Sequence, residues 1–124
     1  RIPDPLAREG EEIAANYLRK LGFKIIDRNF RARNTEIDIV AVHPSTGSGQ
    51  ATLVFVEVKT RTSNRFGTPL EQITYWKLKS LVKAAQYYKM THQKLPDLMR
   101  IDAVSVQYNS KGPVVEHIKN ISGF

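Results

Sequence analysis

The chain has no cysteine among its 124 residues. That excludes disulfides and thiolate metal sites, and it suits a reducing, cytoplasmic setting. It also has no apolar run long enough to span a bilayer and no signal-peptide pattern, so a soluble protein without a membrane span is expected. No serine-nucleophile motif and no P-loop glycine pattern occurs. The three histidines, His43, His92 and His117, are dispersed without metal-ligand spacing, and all three read as surface residues. Acids are scarce: 12 Asp and Glu stand against 19 Lys and Arg, a formal net charge of +7. Such a balance favours a polyanionic partner, nucleic acid first and an anionic membrane surface second. The first residue is Arg1 rather than Met, as in a trimmed chain.

What is present is ordinary globular composition, 41% hydrophobic and 25% charged. At this length it predicts one domain, residues 1–124, with a real core. Apolar residues recur at three- and four-residue spacing from Pro5 to Leu21, through Ile13, Ala14, Tyr17, Leu18 and Leu21, and predict a helix ended by Gly22. Its acids, Glu9, Glu11 and Glu12, lie toward the start, where they suit the positive end of the helix dipole. Three strands are expected next, at Phe23–Arg31, Thr35–Val42 and Ala51–Thr60, the last apolar enough to be covered on both faces. A polar loop follows. Then Thr68, Pro69 and Glu71 make a capping box for a second helix running to about Met90. Met99–Tyr108 and Val114–Ile121 complete the chain as strands. Short links among the first three strands predict antiparallel neighbours, and the long helical link permits a parallel crossover. The fold class expected is α/β, a small mixed β-sheet flanked by helices, with a C-terminal strand added.

Two apolar strands carry acids that packing does not explain, Asp38 in Glu36-Ile-Asp-Ile-Val and Glu57 in Val54-Phe-Val-Glu-Val-Lys-Thr-Arg61. Alternation puts Glu57 and Lys59 on one face, and a hairpin can bring Asp38 beside Glu57. Two carboxylates so placed repel unless one keeps a proton or a divalent cation binds between them. Carboxylate and carbonyl ligands suit magnesium or manganese, which can polarise a phosphoryl oxygen and activate water. Lys59 can then offset charge developing in the transition state. Glu-x-Lys alone has little weight: seven glutamates and ten lysines give about half an occurrence by chance. The competing reading is a cross-strand ion pair from Asp38 or Glu36 to Lys59, worth about 0.2–1 kcal/mol.

At these residues the chain resembles the PD-(D/E)xK nuclease superfamily, and closely resembles the YraN-like family of bacterial proteins, whose sequences look like distant relatives of Holliday-junction resolvases. The matching pieces cover nearly the whole chain. They are Arg8-Glu-Gly-Glu-Glu-Ile-Ala14, Arg28-Asn29, Glu36-Ile-Asp38, Phe55–Arg61, Gly67–Glu71 with Lys77, and Ile101–Val104. The resemblance implies a restriction-endonuclease-like αβββαβ core. It implies Asp38, Glu57, the Val58 carbonyl and Glu11 as metal ligands, with Glu12 as the alternative to Glu11, and Lys59 as the catalytic lysine. Glu36 would tune the site or pair with Arg33. Ile37 stands where the superfamily has proline, and Thr35 where the family usually has glycine; neither removes a ligand. Arg31, Arg33, Arg61 and Arg65 flank the site as a phosphate-gripping rim, and Phe66 either stacks on a base or anchors its loop. Lys77, with Lys79 and Lys83, extends a DNA track or forms a solvated helix face. Asp102 reads as structural. The function expected is a metal-dependent endonuclease acting on DNA, including branched or damaged forms, with a homodimer by analogy to junction enzymes. The alternatives are a nucleic-acid-binding module with a residual metal site, and an interaction module using the outer face of the sheet.

Overall fold

A computed structural model describes residues 4–44, 49–62 and 70–122 of the chain. Arg65 and Phe66 of the expected rim, and Thr68 and Pro69 of the expected capping box, lie outside those residues.

The elements follow the order α1 (Pro5–Lys20), β1 (Lys24–Ala32), β2 (Thr35–His43), β3 (Thr52–Arg61), α2 (Tyr75–Thr91), β4 (Leu98–Asn109) and β5 (Gly112–Ile118). This is the αβββαβ order with one strand added. The five strands form one mixed sheet in the spatial order β1-β2-β3-β4-β5. Neighbours are antiparallel except β3 and β4, which run parallel in the register Glu57↔Ala103. The parallel pair is the one joined through α2, as a crossover requires.

Each face of the sheet carries one helix. Ala14, Ala15 and Leu18 of α1 pack on Val54, Val56, Val104 and Val106. Leu81, Ala84, Ala85 and Tyr88 of α2 pack on Leu53, Phe55, Val40 and Ile101 from the other side. Strand β3 therefore alternates between two cores, and its continuous apolar run is that of a strand buried on both faces. Fully burying one such aliphatic side chain stabilises by about 1.5–3 kcal/mol.

Local chemistry sets where the elements begin. Asp4 caps α1 by accepting the Leu6 N–H at 3.3 Å, and Pro5 takes the first helical position. None of the three glutamates lies in the first turn, so the dipole is not what places them. The second helix starts later than the Thr68 box predicts. Glu71 sits in a 3₁₀ turn, Leu70–Gln72, and Thr74 is the cap, its hydroxyl accepting the Lys77 N–H at 3.0 Å. Strand β5 starts at Gly112 rather than Val114, because Pro113 is tolerated in an edge strand.

The regular strand pattern is interrupted in β1 and β2, first by a register shift between Ile25 and Asp27. Asn29, inside β1, is left-handed with φ 53°. In β2, Ile37 and Val40 face the α2 core while Ile39 and Ala41 face the α1 core, so the alternation breaks at Asp38. The β2–β3 pairs run from His43↔Thr52 to Ile39↔Val56.

Candidate functional site

The break in β2 lies where β2 leaves β3, and Asp38 occupies it. Its Oδ2 accepts the Val58 N–H at 2.7 Å. A side-chain oxygen thus takes an amide hydrogen that lies past the last β2–β3 backbone pair. This bond pins Asp38 beside Glu57, which is 5% exposed. Burial, then the neighbouring Glu57 charge, push Asp38 up from 3.8 to about 8; the Val58 N–H opposes the rise and the Glu11 charge adds to it. The proton that Asp38 keeps relieves the repulsion between the two neighbouring carboxyls.

Two cations reach Glu57. Lys59 Nζ stands 3.4 Å and Lys77 Nζ 3.8 Å from its Oε2. Lys59 thus pairs with the acid two residues before it on its own strand. Lys77, from the first turn of α2, also donates to Thr35 Oγ1 at 3.2 Å. It lies at the carboxylates themselves as well as on the helix face. Arg31 is the partner of Glu36, at 3.2 Å, in place of the expected Arg33. Arg33 forms the β1–β2 turn, exposed, at φ 50°. Arg61 ends β3 as a half-buried residue.

Helix α1 brings the third acid. Asn29 donates to Glu11 Oε1 at 3.0 Å, and its left-handed backbone aims that amide. Arg28 and Arg19 engage Glu12 at 3.4 and 3.7 Å, and Tyr108 donates to Glu9 at 2.9 Å. Each acid of α1 is tied to a specific partner. Glu11 is the one whose charge Asp38 feels. Gly10 lets the helix lie this close, since a Cβ there would collide with Thr60 Oγ1. Among the described residues, no three His, Cys, Asp or Glu side chains are grouped closely enough to hold one ion. Two carboxyls converge, and the third, held by Asn29, stands off.

Comparison with known proteins places the chain in a family. The model of the uncharacterised protein family UPF0102 matches residues 10–106, a span that contains Glu11, Asp38, Glu57 and Lys59. The chain belongs to the UPF0102 family. It is 40% identical to a UPF0102 protein of Geobacter metallireducens, across 93% of this chain and 89% of the relative. It is 44% identical to one of Syntrophomonas wolfei, across 90% and 91%. A UPF0102 protein of an Arthrobacter species is 39% identical across 98% of both chains. This is the YraN-like family that the motifs resembled.

This UPF0102 chain also buries a second acid, Asp102, which is 0% exposed. Arg100 donates to it at 2.8 and 3.1 Å, His117 Nε2 lies at 2.8 Å, and the Asn120 N–H donates at 2.9 Å. Burial alone would raise Asp102, but those donors outweigh it and hold the carboxyl below its ordinary value. Asp102 lies on the α1 side of β4, level with Val56 and off the Asp38–Glu57 pair. His117 is therefore no surface residue: its side chain is 4% exposed and touches Tyr17 Oη at 3.4 Å. His43 is half-buried against Phe23, with ring centroids 4.4 Å apart. The signal for this network was Asp102 within the apolar Ile101–Val104 run; Arg100 is its neighbour on β4, His117 comes from β5 and Asn120 from just beyond it. No helix among the described residues is long and apolar enough to cross a membrane.

Proposed function

We propose that this chain is a divalent-metal-dependent endonuclease that hydrolyses phosphodiester bonds in DNA. The observation that carries the reading is half-buried Asp38, fixed by the Val58 N–H beside buried Glu57, with Lys59 against Glu57 at the point where β2 parts from β3. Two carboxyls in one buried place are stable with a proton or with a cation, and only the cation serves chemistry on phosphate. Asp38, Glu57, the Val58 carbonyl and Glu11 would hold it. A bound magnesium or manganese ion supplies Lewis-acid activation of water and phosphate. The protein's own part is positional and electrostatic. The Val58 N–H fixes Asp38, Lys77 holds Glu57 in place, and Glu11 would have to leave Asn29 to reach the ion. Lys59 places its ammonium where negative charge grows on the phosphoryl oxygens. Arg33 and Arg61, with Arg31, grip flanking phosphates, and the net charge of +7 draws the polyanion in. The cysteine-free composition suits work in the cytoplasm.

Cleavage of a panel of duplex, single-stranded, flapped, nicked and four-way DNA, with RNA counterparts, in magnesium or manganese tests this. Asp38→Ala, Glu57→Ala and Lys59→Ala should each lower the rate at least about 100-fold, as loss of a principal electrostatic group does. Activity surviving all three changes would sink the assignment.

A second reading, a nucleic-acid-binding module without turnover, is favoured by one observation: Glu57 already has two lysines, and Glu11 an asparagine, as partners. It predicts salt-sensitive DNA binding and no product on any substrate, whether or not the residual site takes up manganese.

A further inference from the structure

Beside the carboxylate site the structure has an open cleft of about 650 Å³. One wall is the β1–β2 turn, with Arg31, Arg33 and Thr35; the other is the outer side of α2, with Lys83 and Tyr87. Both walls are cationic. Arg31 retains 69% exposure in its pairing with Glu36, and Arg33 and Lys83 are exposed. The cleft meets the site directly, since Thr35 is the residue that Lys77 bonds while also contacting Glu57.

Its aromatic content is what distinguishes it. Tyr87 is 50% exposed, and its ring lies at 25° to that of Phe30, centroids 6.4 Å apart, so Phe30 backs it. At the start of the same helix Trp76 is 71% exposed and Tyr75 66%. Lys79 Nζ lies 5.9 Å from the Trp76 ring and 5.8 Å from that of Tyr75. Trp76, Ser80, Lys83 and Tyr87 follow one another at four- and three-residue steps and share one side of α2. The two exposed rings are about 16 Å apart along it. Cations alone fit any polyanion. Exposed ring faces interleaved with them fit one whose bases offer free faces, and in a duplex those faces are already stacked on each other.

We propose that this cleft and the Trp76–Tyr87 side of α2 form a subsite for an unpaired DNA strand, delivering it to the Asp38–Glu57 site. The proposal deepens the nuclease reading and rests on it for direction, but its binding step stands apart from turnover. Bases stack on Tyr87 and Trp76, while Arg33 and Lys83 take phosphates between them. The substrate class is DNA with a single-stranded arm, such as a flap or a frayed branch, rather than intact duplex.

The test is fluorescence anisotropy in EDTA, where no cleavage occurs, with a labelled oligodeoxythymidylate of about twelve nucleotides, within the usual range of strand sites. A blunt duplex and oligouridylate of equal length are the competitors. Tyr87→Ala and Trp76→Ala should each weaken strand binding about 5- to 100-fold and leave duplex binding within about twofold. Tyr87→Phe, which keeps the ring and its packing on Phe30, should bind like the parent. Lys83→Gln and Arg33→Gln should each reduce the salt slope of strand binding by about 0.7. Unchanged strand binding in the alanine variants, or a duplex that outcompetes the strand, overturns the subsite. Tighter binding of oligouridylate overturns its assignment to DNA. Strand binding that behaves as expected while the substrate panel stays uncut overturns the hydrolase reading alone.

Discussion

Asp38 holds its proton up to about pH 8 in the folded chain, whereas the ordinary value is 3.8. Linkage sets the sign: between those limits the folded state binds more protons than the unfolded one, so stability falls as pH rises. It is fully present below about 3.8 and drains away toward 8. Asn at this position has no proton to lose and keeps an oxygen for the Val58 N–H. Asp38→Asn should therefore gain on the parent between pH 5 and 8 in the absence of divalent ions. The gain should reach on the order of 1–3 kcal/mol, reduced by solvent at a half-buried site. Manganese should restore the parent and leave the variant unchanged. Urea unfolding at several pH values checks this, and parallel profiles for the two proteins would rule it out. The window stays above pH 5 because Asp102, held low by Arg100 and His117, contributes in the opposite sense: its stability is present above its ordinary value and is lost as pH falls through the depressed one. Of these two acids, the sequence marked Asp38 as misplaced in an apolar strand and read Asp102 as structural. The meeting of Asp38 with Glu57 was legible, because alternation and a hairpin require little else. The partners of Asp102 were not: His117 lies fifteen residues away on another strand, and a histidine without metal spacing reads as solvent-facing.

The elements are more legible in the sequence than their ends. The order of helices and strands and the parallel β3–β4 pair follow from periodicity and from the length of the α2 link. The start of α2 does not, since two threonines six residues apart both read as chemically sound caps, and the helix begins at Thr74. The close seating of α1 is a similar case. Gly10 was visible only as part of a family-like Gly-Glu pair, and its reason, Thr60 on β3, is a contact between elements separated by fifty residues. Gly10→Ala should improve the helix by about 1 kcal/mol in propensity, yet the forced separation from β3 costs about 1–3 kcal/mol. The net result should be a lower unfolding midpoint, with weaker manganese uptake as Glu11 moves off. Thr60→Ala removes the colliding hydroxyl and should recover part of the loss, so the double variant should be more stable than the two single effects predict by at least about 0.5 kcal/mol. Strict additivity in the cycle would show that the contact does not set the helix position.

At the scale of the whole molecule, the two cores lie on opposite faces of one sheet. Strand β3 puts Val54 and Val56 into the α1 core and Leu53 and Phe55 into the α2 core, so neither half can lose its strand without exposing the other. Strand β4 does the same, with Val104 and Val106 on one side and Ile101 on the other. Shared strands of this kind make the two helices melt together even though they pack on opposite faces of the sheet. Leu18 at 0% exposure and Leu81 at 1% are the probes, one for each core. Leu18→Ala and Leu81→Ala should each cost about 2–5 kcal/mol, the usual loss for a buried leucine with a residual cavity. Both should lower the midpoint of one common urea transition. The single tryptophan, Trp76, sits at the start of α2 and reports on that side, while far-UV circular dichroism reports on both helices. If the sheet couples the cores, the two signals coincide in each variant, including Leu18→Ala, whose mutated core lies across the sheet from the tryptophan. A fluorescence midpoint that stays at the parental value in Leu18→Ala, with only the circular dichroism shifting, would mean that α1 comes away from a sheet which α2 alone can hold.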